Sequence, residues 1–166
     1  MEARAVYFKD NFWSSGETEI WDEQERKVGS LDLHSMFQSG VTVRNMRGLT
    51  SYSGKFRHFS NKWLVFSGGE QEIGVLRMRF SFMTKRYEYE SARHGLFRIE
   101  SPAFSREYTV SDEGGAIAAQ FRRVSGAFSA GAFELTNHSS LPTEEIIVVV
   151  MGVHAIQKRQ QAAAST

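Results

Sequence analysis

The side chains that could do chemistry here are five histidines, nineteen acids and no cysteine. The absence of cysteine excludes disulfides, thiolate metal sites and cysteine nucleophiles together. His34, His58, His94, His138 and His154 show neither HxH nor HExxH spacing, so no metal and no cofactor is expected. His154 stands inside an apolar run and reads as a neutral core histidine satisfied by one hydrogen bond. No GxSxG elbow, Walker loop or GxGxxG occurs, and Gly126-Ala127-Phe128-Ser129-Ala130-Gly131 has small residues at the wrong spacing, as in a turn between strands. The paired acids Asp22-Glu23, Asp112-Glu113 and Glu144-Glu145 fall in predicted turns or at a helix start, where turn formation or the helix dipole explains them. The expectation is a protein that is not an enzyme.

The constellation left over is basic. Net charge is only +1, yet residues 44–106 hold twelve bases against five acids, while both flanking segments are acidic. Fourteen of the twenty bases are Arg, whose fork of donors suits carboxylate or phosphate oxygens. Arg44, Arg47, Lys55, Arg57 and Lys62 are followed by Arg77, Arg79, Lys85 and Arg86. Strand alternation puts Arg77 and Arg79 on one outer face with Lys85 and Arg86 at its end, where paired donors could hold a headgroup phosphate. The candidate anion-binding set is therefore Arg77, Arg79, Lys85, Arg86, Arg44 and Arg47. The competing explanation is solubilising charge on strand exteriors.

The elements that must position these residues are mostly strands. A chain of 166 residues, 41% hydrophobic, can bury one core, so a single domain over 1–159 with a frayed 160–166 tail is predicted. From Val75 to Phe82, Leu76, Met78, Phe80 and Phe82 alternate with Arg77, Arg79 and Ser81, which predicts a strand with one buried face. A loose repeat of strand, polar turn, glycine and returning strand runs through Ile20-Trp21 to Gly29, Trp63-Leu64 to Gly74, Tyr87-Glu88-Tyr89 to Gly95-Leu96, and Tyr108-Thr109 to Ile117. Successive hairpins favour an antiparallel sheet that closes on itself, because closure removes exposed edges.

After Asn137 the pattern changes. Pro142, Glu144 and Glu145 suit a first helical turn, with Ser140 or Thr143 as the cap, and Lys158 and Arg159 suit a last one. Ile146 to Ile156 between them is apolar all round, so a helix over 141–159 must be enclosed. The β-branched residues and Gly152 favour a central strand instead, and the signals at both ends decide for helix. The run is too short for the ~20 residues that cross a bilayer.

The order of hairpins Tyr87-Glu88-Tyr89…Gly95-Leu96-Phe97-Arg98-Ile99 and Tyr108-Thr109-Val110-Ser111-Asp112-Glu113-Gly114-Gly115, then Phe133-Glu134-Leu135 and the terminal apolar helix, resembles the LURP-one-related group of the tubby-C-terminal-like superfamily. The resemblance implies a closed antiparallel β-barrel of about twelve strands around a central hydrophobic C-terminal helix. It departs from many members in having Gln157, in place of an acid, just after the apolar run. It also implies a non-enzymatic binding or scaffold domain, since the superfamily includes phosphoinositide readers and lipid scramblases.

Three classes follow. A binding domain would meet an anionic lipid at a membrane surface, or a protein partner, from a cytoplasmic location. A nucleic-acid module is disfavoured, because Phe80 and Phe82 are predicted to point inward, away from Arg77 and Arg79. A small-ligand barrel needs an open lumen that a central helix would fill.

Overall fold

The period-two pattern becomes twelve antiparallel strands in the computed structural model, which describes residues 1, 4–35, 40–80, 84–102, 105–125 and 131–165. They are β1 (Ala5–Lys9), β2 (Glu17–Trp21), β3 (Lys27–Ser35), β4 (Gly40–Arg44), β5 (Thr50–Phe56), β6 (Trp63–Ser67), β7 (Gln71–Arg79), β8 (Arg86–Ser91), β9 (Gly95–Glu100), β10 (Tyr108–Ser111), β11 (Ile117–Val124) and β12 (Ala132–Asn137). A short helix α1 (Phe12–Ser15) joins β1 to β2, and α2 (Thr143–Ala164) follows β12. Each strand pairs with its sequence neighbours, and β1 pairs with β12 to close the barrel. The four expected hairpins are β2–β3, β6–β7, β8–β9 and β10–β11. In the last, Gly115 takes φ 85° in the turn, a conformation that costs glycine nothing.

Alternation sets the inner face. Val6 and Phe8, Tyr87 and Tyr89, Phe97 and Ile99, and Phe121 and Leu135 all point inward and are buried. On β7 it holds only as far as Leu76. Met78 is 36% exposed and Phe80 is 91% exposed, contrary to the expected inward set. The strand runs past the buried layer to the rim of the barrel, where an inward direction no longer meets a core. Phe82 and the Gly126–Ala130 stretch lie outside the described residues.

Helix α2 fills the barrel, with Thr143 to Ile156 buried on every side. It continues through Gln160 to Ala164, past the predicted end at 159, so most of the expected frayed tail is helical. The expected Ser140 or Thr143 cap is absent: Pro142 occupies the cap position without a side-chain bond. Asn137 organises the entry instead, its Nδ2 donating to the Leu141 carbonyl at 2.7 Å and to Thr143 Oγ1 at 3.2 Å, while its Oδ1 accepts from Ser139 N and Oγ. Glu144 and Glu145 do more than face the helix dipole. The Met1 amino group lies 2.7 Å from Glu144, and Glu145 accepts from Tyr89 Oη at 2.6 Å and Ser91 Oγ at 3.2 Å. A buried carboxylate on α2 is thereby tied to the wall of the barrel.

The helix meets that wall most closely at Trp63. A Cβ on Gly152 of α2 or on Gly54 of β5 would collide with the Trp63 indole, so both glycines leave room for one ring. Alanine ordinarily gains about 1 kcal/mol over glycine inside a helix. Here overpacking of about 1–3 kcal/mol opposes that gain and exceeds it, because the indole is itself fully buried. Gly152→Ala is expected to lower the urea midpoint; a midpoint at or above wild type would show that the helix does not press on Trp63.

Candidate functional site

Strands alternate in direction, so the barrel has two different ends. One end holds the α1 connection, the β5–β6, β7–β8 and β9–β10 connections, and the C-terminal turns of α2. Its described connections and helix end carry Arg57, Lys62, Lys85, Arg106, Lys158 and Arg159 against Asp10 and Glu107. The connections of the opposite end carry Asp22, Glu23, Glu25, Glu70, Asp112 and Glu113 against Arg26, Arg47 and Arg93. A nearly neutral protein is thus polarised along its axis, which gives the basic end a field that attracts anions.

The six sequence-predicted residues do not form one site. Arg77 Nη2 lies 2.9 Å from Glu90, Arg79 Nε 2.6 Å from Glu88 and Arg86 Nε 3.2 Å from Glu100, a ladder of ion pairs across β7, β8 and β9. Arg44 on β4 reaches Asp32 at 3.0 Å and Glu17 at 3.4 Å. Arg47 belongs to the β4–β5 turn at the acidic end. Lys85 alone of the set stands at the basic end without a carboxylate partner among the described residues.

There it joins two cations that the sequence reading did not select. Lys85, Arg106 and Lys158 line a cleft of about 320 Å³ with Ser101, Pro102, Ser105, His154, Gln157 and Gln161. The cations come from the β7–β8 connection, the β9–β10 connection and α2, so no sequence spacing relates them. His154 forms part of the wall, with its ring tilted by 38° against Trp13 at 4.0 Å between centroids. Among the described residues no group hydrogen-bonds to that ring, in place of the single bond expected. Burial, and then the charges of Lys158 and Arg106, push its pKa down to about 3, so the imidazole is neutral. Behind it, Tyr108 Oη donates to Gln157 Oε1 at 3.1 Å. Burial also raises the Tyr87 pKa, offset in part by the nearby Gln157 side chain, although among the described residues no group stands in hydrogen-bond geometry to the Tyr87 hydroxyl.

Two phenylalanines stand on the same rim as the cleft. Phe59 in the β5–β6 turn is 100% exposed and Phe80 at the end of β7 is 91% exposed. Phe59 has φ 53°, a left-handed conformation unusual for a bulky residue. Arg159 at the end of α2 steadies this turn, donating to the Ser60 carbonyl at 3.1 Å with its guanidinium 3.3 Å from the Phe56 ring centroid. The exposure of Phe80 also removes the argument that its inward direction disfavours nucleic acid. No helix of the described residues is long and apolar enough to cross a membrane.

The fold defines a closed twelve-stranded barrel threaded by its C-terminal helix. An X-ray structure of a protein from Arabidopsis thaliana shares it, with a TM-score of 0.60 over 95% of this chain and 93% of that one, at 13% identity. At that identity the likeness concerns the fold alone. No family model and no curated protein sequence matches the chain.

The buried imidazole has a consequence for stability. An ordinary histidine in the unfolded chain takes a proton near pH 6.5, whereas His154 in the folded state, facing Lys85, Arg106 and Lys158, takes one only near 3. As pH falls below 6.5 the unfolded state binds a proton that the folded state refuses, and stability drops by up to about 1.4 kcal/mol per pH unit. Thermal melts between pH 7 and pH 5 (about the window in which an ordinary histidine titrates) should show this loss in wild type and a flatter profile in His154→Gln. Equal slopes in the two proteins would exclude a neutral buried His154.

Proposed function

We propose that this chain is a non-enzymatic binding domain of the LURP-one-related type that docks its basic end on anionic phospholipid. The observation that carries this reading is the placement of Phe59 and Phe80, almost fully exposed, on the one end of the barrel where cations outnumber acids. An exposed ring set in a polar loop gains free energy by entering the headgroup and acyl boundary, and neighbouring Lys and Arg gain about 1 kcal/mol each near an anionic surface. The acidic end also exposes Met46, Leu49 and Ile117, but its charge opposes the same surface. The left-handed backbone at Phe59 supports the reading further, since a strained residue at a tip is retained where its side chain serves a purpose. The two rings belong to separate turns and do not share one strand face, which suits insertion into lipid better than stacking along a nucleic-acid strand.

The outer-strand arginines contribute less in this reading, because their charge already faces Glu88, Glu90 and Glu100. A fully exposed ring removed from the interface should cost on the order of 1 kcal/mol in partitioning, hence about thirtyfold for two. Co-sedimentation with phosphatidylcholine vesicles, with and without phosphatidylserine, tests this. Wild type and Arg77→Ala/Arg79→Ala should bind only the anionic vesicles, and Phe59→Asn/Phe80→Ser should lose about thirtyfold while Phe59→Asn alone keeps or raises the melting temperature, since Asn tolerates the left-handed turn. Binding lost in the arginine variant and kept in the phenylalanine variant would move the reader to the strand face. Binding to single-stranded nucleic acid with none to vesicles would replace lipid altogether.

A further inference from the structure

The cleft at the basic rim has features that membrane docking does not require. Its three cations, Lys85, Arg106 and Lys158, come from three elements and none pairs with a carboxylate among the described residues. Elsewhere on the barrel Arg44, Arg77, Arg79, Arg86, Arg122 and Arg123 each pair with an acid. Among the described residues no acid lines the cleft. Polar donors stand among the cations: Ser105 Oγ accepts from Glu107 N at 2.9 Å and keeps its own hydrogen to give, and the neutral His154 ring offers one N–H. The guanidinium of Arg106 lies over the Trp13 ring, 5.8 Å from its centroid, and Trp13 in turn packs at a tilt against His154. A lysine from the last exposed turns of a helix anchored in the barrel core gives the third cation a fixed base.

We propose that the cleft lined by Lys85, Ser105, Arg106, His154 and Lys158 binds a phosphomonoester, carried by a small soluble molecule or by a lipid headgroup. Three cations and two neutral donors match a tetrahedral dianion with three terminal oxygens, whereas a carboxylate would leave most of the positive charge unanswered. The volume of about 320 Å³ sits at the low end of small-molecule sites, enough for a phosphate and a short organic group. Burial is the main reason for the low proton affinity of His154, the field of Lys158 and Arg106 lowers it further, and a bound dianion would offset that second part. This site is independent of the aromatic tips, so it can stand where vesicle docking fails.

The test is an NMR titration of the whole chain at neutral pH with glycerol 3-phosphate, with acetate and glycerol as controls, following the Trp13 indole N–H and the His154 ring. A second arm uses phosphatidylcholine vesicles with and without phosphatidic acid. Saturable shifts of both reporters are expected with glycerol 3-phosphate, weaker by on the order of tenfold for each cation removed in Arg106→Gln and Lys158→Gln, and unchanged in Arg122→Gln. These variants alter exposed side chains, and unchanged spectra of the free proteins show that they fold. Response to phosphatidic acid vesicles alone, lost in Arg106→Gln/Lys158→Gln but kept in Phe59→Asn/Phe80→Ser, would assign the phosphate to a lipid. Binding that is indifferent to Arg106 and Lys158, equal binding of acetate, or no binding in either arm would overturn the proposal.

Discussion

Everything in this structure depends on placing an α-helix inside a closed sheet. A helix satisfies its backbone polar groups internally, so it can be surrounded by protein on all sides, provided that its side chains are apolar all round. The run from Ile146 to Ile156 meets that condition. Its Ile146, Ile147, Val148, Val149, Val150, Met151, Val153 and Ile156 are buried, and at about 1.5 to 3 kcal/mol each their contribution is at least comparable to the ~5–15 kcal/mol net stability of an ordinary domain. Neither part suffices alone: an emptied barrel would expose its inner face, and the free helix would expose every face. The polar contacts at the entry, Asn137 with Leu141 and Tyr89 with Glu145, then fix how far the helix inserts.

That constraint explains what could be read from the sequence. Tyr87 against Glu88 and Phe97 against Arg98 carry a period of two because each strand has one wet and one dry face, so hairpins and closure were legible. The helix was legible from its ends, and its β-branched interior argued for a strand because local propensity knows nothing of enclosure. Two local expectations failed for a shared reason. Alternation predicted Phe80 inward without knowing where the core stops, and capping rules chose Ser140 or Thr143 without knowing that Asn137 reaches across from β12.

The candidate site was less legible for a related reason. Arg77 and Arg79 stood out because they are close in sequence, yet register places Glu88 and Glu90 opposite them, and cross-strand partners are invisible until the strands are paired. The cleft that does gather unpaired charge draws Lys85, Arg106 and Lys158 from distant segments. Each reads singly as a turn or helix-end residue; only topology brings them to one rim.

The division of labour at that rim follows from the same architecture. The helix end is held by a core that cannot shift without unpacking Trp63, so Lys158, Arg159 and His154 are anchored, while Lys85, Arg106, Phe59 and Phe80 are supplied by connections or strand ends around them. A rigid centre ringed by connections is an arrangement in which recognition can change without loss of stability, because substitutions in the connections leave the buried helix untouched. Inside the barrel a single methyl group matters at Gly54 and Gly152; at the rim a bulky ring is tolerated even in the left-handed backbone of Phe59. Such tolerance of strain where no packing demands it, on the end of the barrel with the excess positive charge, is the ground on which a role at the rim rather than in the core is proposed.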